Sequence, residues 1–226
     1  MKHYQVKMDT RAKLHDRDVG DTGDYRSKEE AAARTEQLKQ KLDALRERLY
    51  AEGSRAVLVV LQGIDTGGKD GTIRHVMSGV NPQGCIVTSF KAPSALEKAH
   101  DFLWRIHAAC PPRGYIGIFN RSHYEDVLIT RVHGWITDKG ARHQPRQIRE
   151  FERTLTSRVY RRAFDEALST TSTDEAPWFV VPADHKWYRN LVVADCLAGA
   201  LQEMDPRPPK VHGIDWKKLR REVSRT

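Results

Sequence analysis

Residues 63–70 read GIDTGGKD and fit the spacing G-x-x-x-x-G-K of a phosphate-binding turn. Gly63, Gly67 and Gly68 let the backbone turn tightly and bring its N–H groups close to an anion. Lys69 adds a positive charge aimed at phosphate oxygens. Asp70 stands where Ser or Thr usually holds magnesium, and Asp65 places a second acid inside the loop. The plain alternative is a strand, turn and helix with chance glycines, and under either reading the two acids need a reason. Two further cations follow. Lys91 comes directly after a strand, where it either faces phosphate or is simply solvated; the residues leave both open. Arg121 sits at a strand tip, where its planar fork can hold a transferring phosphoryl group. Asn120 occupies the place where an acid for magnesium is usual. Glu125 fits a capping box with Ser122, so Asp126 is the better metal candidate, although an acid there also favours a helix N-terminus.

These residues need strands and helices to hold them. Residues 56–61 (AVLVVL) read as a strand that ends at the glycine loop, and a helix runs on from Lys69 to about residue 78. Residues 85–90 (CIVTSF) and 115–119 (YIGIF) are the second and third strands, and residues 178–181 a fourth. Ser27 with Glu30 opens a helix whose stripe is Ala31, Leu38, Leu42, Leu45 and Leu49, closed by Gly53. Ser94 with Glu97 opens another, with Leu96, Ala99, Leu103, Ile106 and Cys110 as its stripe and His100, Arg105 and His107 off it, at the surface. Asp184 can cap a helix through about Met204. Strands alternating with helices predict an α/β fold, a three-layer sandwich with a mainly parallel sheet and its ligand beyond the carboxyl ends of the strands. The glycine loop, Lys91 and Arg121 all fall at that edge.

The 226 residues suffice for a single domain over 1–226. Within it, 1–26 form a polar N-terminal arm, 145–171 a basic segment and 206–226 a tail. In the basic segment Arg146, Arg149, Arg153, Arg158, Arg161 and Arg162 form either a solvated face or a lid over polyanion. The net charge of +8 implies an anionic partner. No aromatic-plus-basic module supports nucleic acid as that partner. The longest apolar run is too short for a membrane, the N-terminus shows no secretory h-region, and the three scattered cysteines suit a reduced cytoplasm, so we expect a cytoplasmic protein without a membrane partner.

Three blocks carry a resemblance. Residues 62–94 (QGIDTGGKDGTIRHVMSGVNPQGCIVTSFKAPS), 100–128 (HDFLWRIHAACPPRGYIGIFNRSHYEDVL) and 176–190 (APWFVVPADHKWYRN) resemble the second family of polyphosphate kinases. They are most like its branch acting on both nucleoside mono- and diphosphates, a likeness that the pair Asn120 and Arg121 fits. The resemblance covers about residues 18–155 and 160–193, and long ordered blocks are far more specific than a lone loop. It implies a P-loop kinase-like fold, Mg2+, inorganic polyphosphate as donor and AMP or ADP as acceptor, giving ADP or ATP. It implies that Asp65, Lys69 and Arg121 are catalytic, with Asp65 holding magnesium or positioning the accepting phosphate and Asp126 as a second metal residue. Gly63, Thr66, Gly67, Gly68, Asp70, Gly71, Lys91, Asn120 and Arg131 would bind phosphate or substrate. We also expect a homo-oligomer.

One departure is large. In that family the block 151–155 (FERTL) is followed by a core strand and a basic lid before the equivalent of Tyr160 appears; here the two are almost joined. The lid is therefore shortened, and the absent strand belongs inside the sheet, beside the strand that leads into the glycine loop. Either the strand at Trp178 moves inward or the core has a gap, at a cost of unpaired backbone and exposed apolar surface. Three functional readings follow: a polyphosphate:nucleotide phosphotransferase, a catalytically impaired binder of nucleotide or polyphosphate, and an ATP-dependent nucleotide kinase.

Overall fold

Ser27 accepts a hydrogen bond from the Glu30 N–H at 3.4 Å and opens α1 (Lys28–Glu52). The reciprocal arm of the expected capping box is shifted by one residue, because the Glu30 carboxylate accepts from the Arg26 N–H at 2.6 Å. The stripe from Ala31 to Leu49 is buried, as its helical spacing requires. Gly53 ends the helix in a left-handed conformation, φ 63°, donating to the Leu49 carbonyl. The computed structural model describes residues 2–6, 17–63, 67–124 and 176–208. The basic segment 145–171, most of the C-terminal tail, and Asp65, Thr66, Glu125, Asp126 and Arg131 lie outside them.

Three strands, β1 (Val57–Leu61), β2 (Cys85–Ser89) and β3 (Ile116–Asn120), form a parallel sheet in the order β1-β3-β2. Leu61, Asn120 and Ser89 are level with one another, so all three strands deliver their next residues to the same edge. Alternation along the strands makes the layers. Val57, Val59, Leu61, Ile116 and Ile118 face a core shared with α1, α2 (Lys69–Val76) and α5 (Lys186–Met204). Leu58, Val60 and Phe119 face a second, smaller core with Phe90, Leu103, Ile106 and Tyr124. Helices on both faces of a parallel sheet are the predicted three-layer α/β sandwich. Gly117 is glycine for a packing reason: a Cβ there would lie 2.6 Å from Pro111.

Three expectations need correction. The single helix after Ser94 is two, α3 (Ala95–Lys98) and α4 (Trp104–Ala109). The capping box of Ser94 and Glu97 is present. However, Asp101 starts the chain afresh by accepting the Leu103 N–H on its carboxylate (2.9 Å) and the Trp104 N–H on its carbonyl (3.0 Å). Leu96, assigned to the stripe, is consequently 62% exposed. Secondly, Asp184 does not cap α5. The N-cap is His185, with no side-chain capping bond, and the Asp184 N–H donates to the Val19 carbonyl.

Thirdly, residues 178–181 add no rung to the parallel sheet among the described residues. Phe179 instead bridges Gln5 in antiparallel fashion, flanked by bonds from Val6 to Trp178 and from Val180 to Tyr4, each 2.8 Å. The start of the N-terminal arm belongs to the fold, with Tyr4 and Val6 buried and the Tyr4 hydroxyl 2.6 Å from Asp21 and 2.8 Å from the Tyr188 hydroxyl. The first residues of the C-terminal tail are also tied down: the Pro206 carbonyl accepts from Arg48 and the Arg207 N–H donates to Glu52.

The strand leading into the glycine loop has a pairing partner on one side. Among the described residues β1 pairs with β3 alone, and all five of its residues are only half-buried, whereas all five of β3 are buried.

Candidate active site

The glycine loop leaves β1 at Gln62 and enters α2 at Lys69. Gly68 is the N-cap, and its φ of 81° is a backbone conformation that a side chain would strain. The turn is then locked from the helix side: the N–H and hydroxyl of buried Thr72 both donate to the Gly68 carbonyl, at 2.9 and 3.1 Å. Lys69 reaches back across the loop, its Nζ donating to the Gly63 carbonyl at 2.8 Å. The amides of the first turn of α2 and the Lys69 ammonium thus lie at one mouth, an arrangement that favours an anion.

The tip of β3 meets this mouth. Buried Asn120 donates from Nδ2 to the Asp70 carboxylate at 2.7 Å, tying the strand end to the first turn of α2. Asp70 therefore has a structural partner in place of the hydroxyl that a Ser or Thr would offer there. Arg121 has φ 65°, which is strained for a side-chain-bearing residue, while its N–H extends the ladder onto the Leu61 carbonyl at 3.0 Å. Ser122 donates to Gln62 at 3.3 Å and accepts the Tyr124 N–H at 3.2 Å. Two strand ends and a helix start are thereby joined around Arg121.

Lys91 follows β2 at the same edge and is exposed. Its carbonyl accepts from Arg105 at 2.8 Å. Arg105 is not the surface residue expected from its place off the stripe. Its side chain is 11% exposed, and its guanidinium lies 5.4 Å from the Phe90 ring and 3.9 Å from Glu97. These residues line an open cavity of about 420 Å³ with Thr88, Ser89 and Trp104, against which His100 stacks.

Of the residues singled out from the sequence, the structure brings Gly63, Gly67, Gly68, Lys69, Asp70, Gly71, Asn120 and Arg121 together, with Lys91 further along the edge. The sequence reading missed Arg189. This residue of α5 is 8% exposed and donates to the Gly67 carbonyl at 3.3 Å. The available signal was a charged residue between apolar neighbours of a buried helix, Tyr188 and Leu191. Burial pulls its pKa below the ordinary guanidinium value. His75, on α2, is likewise held below its usual value by burial and by the cations around it, Lys39, Lys28 and Arg189. Burial pushes the thiols of Cys85, Cys110 and Cys196 up, the last to about 12, so none is a ready nucleophile at neutral pH.

A mouth of loop amides, a lysine and a strand-tip arginine suits transfer of a phosphoryl group, which needs positioning and charge neutralisation more than a protein nucleophile. The comparisons with known proteins agree. The family model described as Polyphosphate kinase 2 matches residues 25–160 and 157–209, which together span most of the chain. The chain belongs to the polyphosphate kinase 2 family. With the family comes its activity, transfer of a phosphoryl group between polyphosphate and a nucleotide. The chain is 38% identical to the AMP/ADP-polyphosphate phosphotransferase of Meiothermus ruber, over 93% of this chain and 96% of the relative. It is 35% identical to the ADP-polyphosphate phosphotransferase of Rhodopseudomonas palustris, over 86% and 87%. A crystal structure of polyphosphate kinase 2 from Arthrobacter aurescens TC1 superposes with a TM-score of 0.88 at 32% identity, covering 100% of this chain and 96% of that one.

The family model matches in two pieces that meet at residues 157–160, just beyond the FERTL block. The Meiothermus alignment runs over 256 positions against a chain of 226, so that relative has positions with no counterpart here. Among the described residues no helix is long and apolar enough to cross a membrane.

Proposed function

We propose that this polyphosphate kinase accepts both AMP and ADP, takes the phosphoryl group from the end of inorganic polyphosphate, and runs in either direction. The terminal P–O bond of the donor breaks as a bond forms to an acceptor phosphate oxygen, and the donor leaves one unit shorter. Lys69 and the loop amides from Gly63 to Gly71, Thr66 included, hold phosphates on either side of that bond. Arg121 steadies the group in transfer through two N–H donors. Lys91 and Arg131 carry the remainder of the chain of phosphates, and Asn120 keeps Asp70 oriented at the mouth. The observation that carries this reading is the level register of Leu61, Asn120 and Ser89, which puts the loop, Arg121 and Lys91 on one edge.

A divalent cation suits such a donor, because it bridges phosphate oxygens and offsets their charge. Among the described residues no three of His, Cys, Asp and Glu cluster as a cage. Mg2+ binds with one or two carboxylates and completes its shell with phosphate and water, so Asp65 and Asp126 are chemically sufficient to hold it. We place the chain in the cytoplasm as a homo-oligomer.

The test incubates the chain with polyphosphate, AMP and Mg2+ and follows ADP and ATP. Lys69→Ala is expected to lower turnover on the order of 10³-fold with an unchanged circular dichroism spectrum. Near-normal turnover in that variant removes Lys69 from the mechanism. Replacing polyphosphate by ATP as donor distinguishes an ordinary nucleotide kinase. A second reading, binding without turnover, is favoured by the half-exposed β1, and binding in the absence of any product supports it.

A further inference from the structure

Arg189 is a nearly buried cation without a counter-charge among the described residues. Its guanidinium makes three hydrogen bonds, all long and all to neutral acceptors. Nε and Nη2 reach the Asn190 carbonyl oxygen Oδ1 at 3.4 and 3.2 Å, and Nη1 reaches the Gly67 carbonyl at 3.3 Å. Among the described residues no carboxylate lies within ion-pair distance of it. At 8% exposure it has little access to water as a substitute. A buried charge left in that state destabilises the fold by which it is held. His75 senses its charge, which adds to burial, Lys39 and Lys28 in lowering the His75 pKa.

The cation is aimed at the phosphate loop. A Cβ on Gly68 would fall far inside contact distance of Arg189 Nη1, so the guanidinium occupies the space that a side chain at Gly68 would fill. It lies behind the turn from Gly67 to Lys69, on the helix side, and Gly71 of α2 also faces Nη2. We propose that Arg189 is an anion-positioning residue of the phosphate loop: it props Gly67 and Gly68 in their anion-receiving shape, and its uncompensated charge is neutralised when a phosphate chain enters. The assignment rests on the reading that this loop binds phosphate. Arg189 does not touch the group in transfer, so its effect falls on binding of the phosphate chain.

The experiment uses the full chain with inorganic tripolyphosphate as probe, Arg189→Gln and Arg189→Lys as variants, and Lys69→Ala as reference. Binding is measured by calorimetry, melting temperature with and without the probe, and KM and kcat with polyphosphate. For Arg189→Gln we expect tripolyphosphate affinity to drop at least tenfold and KM to rise more than kcat falls. Its ligand-free melting temperature should stay level or rise, because an uncompensated buried charge has been removed. Arg189→Lys, with the charge but without the fork, should recover part of the lost affinity. Affinity within twofold of wild type in both variants overturns the proposal. So does a ligand-free Arg189→Gln protein that melts several degrees lower or fails to fold, the signature of a loop clamp alone. Wild type that binds tripolyphosphate no better than Lys69→Ala overturns instead the phosphate-loop reading on which the proposal depends.

Discussion

β3 and β1 end at the same edge of the sheet and carry complementary halves of the site, yet their surroundings differ. β3 is central, paired on both sides and buried at every residue, and it delivers Asn120 and Arg121. β1 delivers the glycine loop but, among the described residues, pairs on one side only and is half-buried throughout. A strand held this way positions its loop poorly by itself. The loop is instead anchored from elsewhere: Thr72 on the Gly68 carbonyl, Asn120 on Asp70, the Arg121 N–H on the Leu61 carbonyl, and Arg189 on Gly67. The half of the site with the weaker strand is held by cross-links from outside that strand, two of them from the end of β3.

Three measurements sharpen or break this contrast. The largest effect is expected in stability. Ile118→Ala, in β3, should cost about 2–5 kcal/mol in chemical denaturation, because the residue is fully packed. Val59→Ala, its neighbour in register on β1, should cost about 1 kcal/mol, in keeping with half-burial. Equal costs would mean that β1 is covered in solution and the contrast fails. Next, Asn120→Ala unties β3 from α2. Loss of that bond, about 1 kcal/mol, should lower turnover several-fold with little change in melting temperature. Unchanged turnover would show that Asp70 needs no anchor.

The smallest effect concerns the approach to β1. The Arg55 guanidinium, 2.7 Å away, holds the Glu52 carboxyl down to about 2 from its ordinary 4.5, with Ser54 and the Arg207 N–H assisting. The folded-state value is the lower one, so this contribution is present above about pH 4.5 and is lost as the pH falls toward 2. Arg55 is 46% exposed, so solvent screens the pair and the contribution is small. Glu52→Gln should flatten the acid limb of the stability profile in that interval and leave neutral pH almost untouched. An unaltered acid limb would show that the end of α1 contributes nothing to holding β1.

Much of the fold was legible in short stretches. Ser27, Gly53 and the leucines between them mark α1 because caps and helical spacing act within a few turns. The strands and the loop from Gly63 to Lys69 were legible for the same reason. Asp101 was harder to read, since an apolar stripe continues across it while its own carboxylate competes for the backbone. Residues 178–181 had strand composition, but composition does not name a partner, and the partner is Gln5 in the N-terminal arm. The strain at Arg121 has no local sign beyond residue type, and the burial of Arg189 has only its apolar neighbours on α5.

By itself the sequence determined most of the elements, the spacing of the glycine loop and the resemblance to the family, because periodicity, capping and motif spacing are properties of neighbours along the chain. The tertiary structure decided the order β1-β3-β2, the level register that collects Lys69, Lys91 and Arg121 at one edge, and the seat of Arg189 behind Gly68. Those depend on which apolar faces bury against each other across long separations in the chain, and on which cation is carried into the core with them.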